Sequence, residues 1–321
     1  MKSFAAGLFA AVFLAGAGAS AAAMAQTPEA GATELDEVIV LARRSGAPMW
    51  TVTRDDSTLI LVGAIRSIPR DLPWRPDDLE AAAARSDQIL SPQVGQASVT
   101  DLFRVIWRAR TIARMPGGRT TADFLTPDWQ ARLEAVMADE RNDGWRRKSL
   151  LFVGFDLMQD KAGYGQGRTG DDAMDVIRRA ARRARVPVRP VGTVRGDELI
   201  DSLINAPQSA HIPCVQAAIA AAEAGPDAAR DRAEDWRALR VADVVASPVD
   251  RALNECWPWG DPEIAPQLRQ QWAAAIETAM ISPGVTMGVA PIRLLAEAGG
   301  VLDELEARGF EVEGPEWKPA P

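Results

Sequence analysis

Histidine is almost missing from this sequence: among 321 residues there is one, His211. A centre built on several imidazoles, whether a metal site or a paired acid–base catalyst, is thereby excluded. Cysteine is scarce too, with only Cys214 and Cys256. Two thiols rule out a four-cysteine zinc site and allow at most one disulfide. Lysine is confined to Lys2, Lys148, Lys161 and Lys318, and none of them stands in a P-loop context. Excess positive charge is also absent. The formal net charge is −8, which argues against general nucleic-acid binding, because phosphate contacts need a basic surface. After residue 25 no apolar run is long enough to span a bilayer, so no stable membrane insertion is expected of the remainder.

What is present is ordinary globular composition, 47 % hydrophobic and 25 % charged, in a length that suits one large domain or two small ones. The amino terminus stands out. Lys2 precedes the apolar segment Phe4 to Leu14, and Ala23-Met24-Ala25 fits the small-x-small cleavage rule. This is the layout of a secretory signal peptide, with Gln26 as the first mature residue and a periplasmic destination; the alternative is an uncleaved membrane anchor. Cleavage would remove Lys2 as the only charge and take the net charge from −8 to −9. The expected organisation is a signal peptide over 1–25, a linker over 26–46, a folded domain over 47–316 and a tail over 317–321. In an oxidising compartment Cys214 and Cys256 are a natural disulfide pair, worth about 3–4 kcal/mol by loop entropy; the alternative is two buried free thiols.

The pattern predicts mixed α/β structure without strict strand–helix alternation. Val38 to Leu41 is a candidate strand. Trp50 to Thr53 and Leu59 to Gly63 form a hairpin around the polar turn Arg54 to Ser57. A helix runs from Asp77 or Asp78 to Arg85, capped by that acid, and Gln88 to Leu90 is a short strand. Residues 100–150 read as an inserted helical section, with Trp129, Leu133, Val136 and Met137 at helical spacing. Leu150 to Phe155 reads as a strand. Asp172 to Ala184 is a helix with a basic face, and Val186 to Val191 a strand. Helices follow at 196–204, 213–224, 227–240 and 264–280, then a strand at Thr286 to Ala290, a helix at 299–308 and a closing strand from Gly309 to Val312.

Several constellations invite a chemical reading. Gly165-Gln166-Gly167-Arg168-Thr169-Gly170 matches Gly-x-Gly-x-x-Gly, but the preceding strand ends too early and the following one ends in Val191-Gly192 rather than an acid, so it reads as a loop. Arg178, Arg179, Arg182, Arg183 and Arg185 read as a solvated helix face, or else a patch for an acidic partner. His211 and Cys214 have ligand-like spacing, yet two residues do not make a zinc site. Serine-hydrolase chemistry would need His211 as base, and no Gly-x-Ser-x-Gly elbow is present. Trp257-Pro258-Trp259 reads as packing beside a cysteine, or as a platform for a sugar or peptide.

Two stretches carry a family resemblance. Trp50-x-Val52, Ser57 to Arg66, Ile68-Pro69 and Trp74 form one, and Thr286 to Val312 the other; Ala180 to Thr193 lies between them. In order and distance they resemble the TraB/GumN family of Tiki-like metalloproteases. The resemblance implies a single mixed α/β (α+β) domain with a central sheet flanked by helices. It also implies a divalent metal held by two Gly-x-x-His motifs and acidic residues, activating water for peptide hydrolysis. The sequence departs at those positions. The first motif is Gly63-Ala64-Ile65-Arg66 and the second Ala290-Pro291-Ile292-Arg293. Ser91 and Gly192 stand where acids are expected. A guanidinium only donates hydrogen bonds, so arginine cannot replace a ligating imidazole. The expectation is therefore a non-catalytic relative with no metal ligands and no cofactor, in which Arg66 and Arg293, with Ser91 nearby, bind a peptide or small anionic ligand, or which serves as an envelope scaffold. The alternative is a divergent metal-dependent hydrolase. Oligomeric state is open.

Overall fold

A run of alternating apolar residues, Trp50, Val52, Leu59 and Leu61, places one face of an antiparallel hairpin in the core, all four side chains fully buried. Strand β1 (Met49–Arg54) turns through Asp55-Asp56 into β2 (Ser57–Ala64), with Arg54 paired to Ser57. In this computed structural model residues 46–96, 98–166 and 169–319 are described. The expected signal peptide, most of the linker and the candidate strand at Val38 to Leu41 lie outside them.

Six strands form the central mixed sheet of a single α/β domain. Strands β3 (Gln88–Ser91), β5 (Val188–Pro190), β7 (Gly284–Pro291) and β8 (Val312–Glu313) join the hairpin in the order β5-β3-β7-β2-β1-β8. β5, β3, β7 and β2 are mutually parallel. β7 pairs with β2 over eight residues, from Ser57 with Gly284 to Ala64 with Pro291. A second, two-stranded parallel sheet joins β4 (Val94–Gln96) to β6 (Thr193–Arg195).

Helices cover the sheet. Helix α1 (Asp77–Arg85) packs on a later helix, Ala173–Ala184, whose amino terminus is a reciprocal capping box between Asp172 and Asp175. The intervening elements are α2 (Val99–Ala113), α3 (Pro127–Val136) and α4 (Leu150–Asp156), so Ala173–Ala184 is α5. Next come α6 (Gly196–Asn205), α7 (Ile212–Glu223), α8 (Ala228–Arg237), α9 (Val241–Ala246), α10 (Pro248–Glu255) and α11 (Ile264–Ile281). Two short helices, α12 (Ile292–Ala296) and α13 (Val301–Ala307), close the chain.

Three apolar clusters result among the described residues, the smallest being Val194, Ile264 and Leu268. One surrounds the sheet. Another lies among α3, α4, α7 and α10, and the Cys214–Cys256 disulfide crosses it. One expectation is corrected here: Leu150 to Phe155 is helix α4, not a strand. Leu150, Leu151, Val153, Gly154, Leu157 and Met158 are buried, which is the 3.6-residue period of a helix rather than the two-residue period of a strand. The closing strand begins at Val312, since Gly309 adopts a left-handed φ of 84° that ends α13.

Candidate functional site

The carboxyl ends of parallel strands leave a crevice where one chain turns away from its neighbour, and ligands of open α/β sheets bind there. β2, β3 and β7 all end on the same side. At that side lies a cleft of about 630 Å³. Its base is made by Ala64 to Arg66 after β2, Pro92 and Gln93 after β3, and Pro291 to Arg293 after β7.

The register explains why Arg66 and Arg293 both arrive here. Gly63 pairs with Ala290 and Ala64 with Pro291. The two tetrapeptides therefore lie side by side, and each arginine falls two residues beyond the last paired position. From there the chains diverge. After β7 the chain enters α12, so Arg293 sits on a helix. After β2 it enters a loop through Ser67, which has a positive φ of 63°.

Gly63 is required by close approach. An added Cβ would lie 3.0 Å from Ile292 Cγ1 and 3.1 Å from Trp50 Cζ3. Its carbonyl accepts a bond of 2.7 Å from the buried Trp236 indole N–H, and its own N–H donates to Pro48 at 2.9 Å.

Arg293 does not stand free. Its Nε donates to Asp250 Oδ2 at 2.8 Å, and its Nη2 donates to the Val245 carbonyl. The other oxygen of Asp250 accepts from Arg232 Nε at 3.0 Å and also from Arg232 Nη2. Arg232 and Asp250 are only 5 % and 3 % exposed. Ser247 positions the acid by capping α10: its hydroxyl accepts from the Asp250 N–H at 3.1 Å. Glu297 lies 3.8 Å from Arg293 and 3.9 Å from Arg269. Burial raises the pKa of its carboxyl above the ordinary range, against the opposing pull of Arg269 and Arg293. Three guanidinium groups, Arg232, Arg269 and Arg293, thus share two carboxylates, Asp250 and Glu297, in the cleft.

This corrects the paired-arginine expectation. Both arginines line the cleft, but Arg293 is consumed by Asp250 and Glu297. Arg66 is exposed and forms no ion pair among the described residues. A second cation facing the cleft with no ion pair among the described residues is Arg178 on α5, one of the five arginines read as a solvated face or a patch for an acidic partner. Its neighbours behave as that reading expected: Arg183 pairs with Glu80 and Arg179 with Asp171. Asp172 and Asp175 also face the cleft, but each accepts from the other's backbone N–H in the capping box. Ser91 is buried and its hydroxyl reaches only the Pro92 carbonyl, at 3.5 Å, so it does not join the cleft lining. Gly192 also lies off the lining. There a Cβ would collide with Gln271 at 2.3 Å.

The walls are apolar and aromatic. Trp257, Pro258 and Trp259 form one, so the tripeptide both packs and faces the cavity; Tyr164, Leu199 and Leu268 add to it. No three His, Cys, Asp or Glu side chains among the described residues are placed to hold a metal ion. The donor chemistry agrees, because both oxygens of Asp250 already accept from guanidinium groups. His211 is elsewhere. Ser202 donates directly to Asp261, whose other oxygen accepts from the Glu263 and Ile264 N–H groups at 2.9 Å. Asp261 thus caps the start of α11, and among the described residues no hydrogen bond joins His211 to a serine. Cys214 and Cys256 are joined, with a Cα–Cα distance of 4.5 Å.

Asp250 was missed in the sequence, and Arg178 was seen there only as one of five arginines on a basic helix face. The one local signal for Asp250 is Ser247-Pro248-x-Asp250, a helix-start pattern. Residues 48–314 match the sequence model of the TraB/PrgY/gumN family. No curated protein and no solved structure matches the chain significantly.

Proposed function

The chain belongs to the TraB/PrgY/gumN family, and from that premise we propose that it is an exported, non-catalytic member that binds a peptide or another small carboxylate- or phosphate-bearing ligand in the strand-end cleft. One observation carries the reading: Arg66 and Arg178, neither ion-paired among the described residues, face a cavity with an indole wall. Arginine recognises carboxylate and phosphate through two parallel N–H donors, and the aromatic wall suits an apolar side chain next to the anion. The metal-ligand positions of the family are occupied by Arg66 and Arg293, and the nearest acid is bound to two guanidinium groups, so no hydrolytic step is assigned. Export is supported by the amino-terminal segment and by the cysteine pairing.

The test is a thermal-shift and calorimetric titration with inorganic phosphate and with pentapeptide mixtures bearing either free or amidated carboxyl ends. Saturable binding of the free acids that weakens with salt is expected. Arg66→Ala should lower affinity by about tenfold or more, the scale of a charge-assisted bond, with an unchanged melting temperature. Equal binding of the amides, or an unaffected Arg66→Ala variant, would overturn the proposal. A stoichiometric, tightly bound divalent ion in the purified protein would favour a hydrolase instead.

A further inference from the structure

Large exposed apolar side chains are few among the described residues, and three of them share one helix. Phe103, Ile106 and Trp107 on α2 are 67 %, 62 % and 88 % exposed. Spacings of three and four residues put them on one helical face. α2 is 15 residues long, which gives about 22 Å of helix at 1.5 Å per residue.

The same segment reverses the charge of the whole chain. Residues 99–114 contain Arg104, Arg108, Arg110 and Arg114 against a single acid, Asp101, in a protein of net charge −8. Arg104 pairs with Asp201 on α6 and anchors the helix to the body. Arg108 and Arg114 are exposed and form no ion pair among the described residues. A tryptophan, a phenylalanine and an isoleucine together on one face, beside unpaired arginines, are the chemistry of a helix that lies in a lipid interface. The apolar side enters the acyl boundary while the guanidinium groups meet anionic headgroups.

We infer that α2 is a peripheral docking helix for an anionic lipid surface, with Phe103, Ile106 and Trp107 entering the bilayer and Arg108 and Arg114 contacting phosphate. Charge selects this occupant over a second copy of the chain, since two α2 faces brought together would oppose like-charged arginines. The helix would lie on the membrane and not cross it; none of the helices among the described residues is long and apolar enough to do so.

Co-sedimentation of the full chain with vesicles tests this. One set is phosphatidylcholine alone and the other carries added phosphatidylglycerol. Variants are compared with the parent protein, so the shared amino terminus cancels. Binding should favour the anionic vesicles and fall with salt. Phe103→Ser with Trp107→Ser should reduce it by about tenfold or more, as expected for loss of inserted apolar area. Arg108→Glu with Arg114→Glu should remove the preference for anionic lipid while leaving residual binding to neutral vesicles. Circular dichroism and the melting temperature of each variant should match the parent, since these side chains are exposed. Lipid binding equal to the parent in both double variants would overturn the inference. So would concentration-dependent self-association that Trp107→Ser abolishes without any loss of vesicle binding.

Discussion

The sheet and the helical section solve the packing problem differently. Around the sheet the core is made of large side chains, Trp50, Leu59, Leu61, Ile89, Met287 and Val289 among them. Ladder hydrogen bonds between β2 and β7 fix which residues face each other. The helical section is built for close approach. α4 and α7 meet at Gly154, where a Cβ would lie 2.9 Å from Cys214 Sγ and 3.7 Å from Ala218 Cβ, and Ala221 and Ala252 are buried in the same cluster. Small side chains bring helices together but discriminate weakly between neighbouring registers. A covalent bond between α7 and the end of α10 supplies the register that the sheet obtains from its ladder. The two regions then meet at Asp250, an α10 residue that holds Arg232 of α8 and Arg293 of α12.

Removing that junction should have the largest effect. Asp250→Ala leaves two guanidinium groups without this acid, one of them buried, and should cost about 3–5 kcal/mol in urea unfolding. Both regions should loosen together; a loss confined to the helical section would show that Asp250 does not join them. Next in size is the disulfide. Replacing Cys214 and Cys256 by alanine, which opens a loop with a sequence separation of 42, should cost about 2–4 kcal/mol. Hydrogen exchange should show α7 and α10 losing protection before β2 and β7. Uniform loss across the chain would erase the contrast between ladder and crosslink. The smallest effect concerns His211. Burial lowers its pKa below the ordinary 6.5, with Asp261 opposing. The unfolded chain therefore takes up this proton first as pH falls. The stability contributed by the neutral imidazole is present above about pH 6.5 and declines below it. His211→Gln should flatten the stability profile over that window, and an unchanged slope would remove His211 as its source.

Much of the sheet was legible. Alternation marked β1 and β2, and the family pattern aligned the two motif tetrapeptides that the register of Gly63 with Ala290 places side by side. The cap expected of Asp77 or Asp78 does not form: Pro76 precedes α1 and no side chain caps it, so both acids lie in the first turn. The helical section was harder. Leu150 to Phe155 is apolar at nearly every position, so its period was visible only when Leu157 and Met158 were counted with it. At the site, Arg66 and Arg293 were found because they occupy motif positions. Their different fates could not be read, because Asp250 lies 43 residues before Arg293 and nothing in its own neighbourhood announces a buried partner. Arg178 was hidden by its neighbours: five arginines in eight positions, Arg178 to Arg185, look alike until the helix is docked and one of them turns toward the cleft.

The clamp on Gly63 has a consequence for how the cleft discriminates. Its carbonyl and amide are both engaged, and its α-carbon is pressed between Trp50 and Ile292, so the chain leading to Arg66 leaves from an immobile point. α5, which carries Arg178, is likewise set by its cap and by its packing on α1. A ligand would therefore order side-chain rotamers and little backbone, at a cost of roughly 1 kcal/mol per guanidinium arm rather than that of a folding loop. On the proposed reading the two anchored arms would act as a ruler. Anions whose charges match the gap would be accepted, and those that do not match would be refused without any movement of the frame.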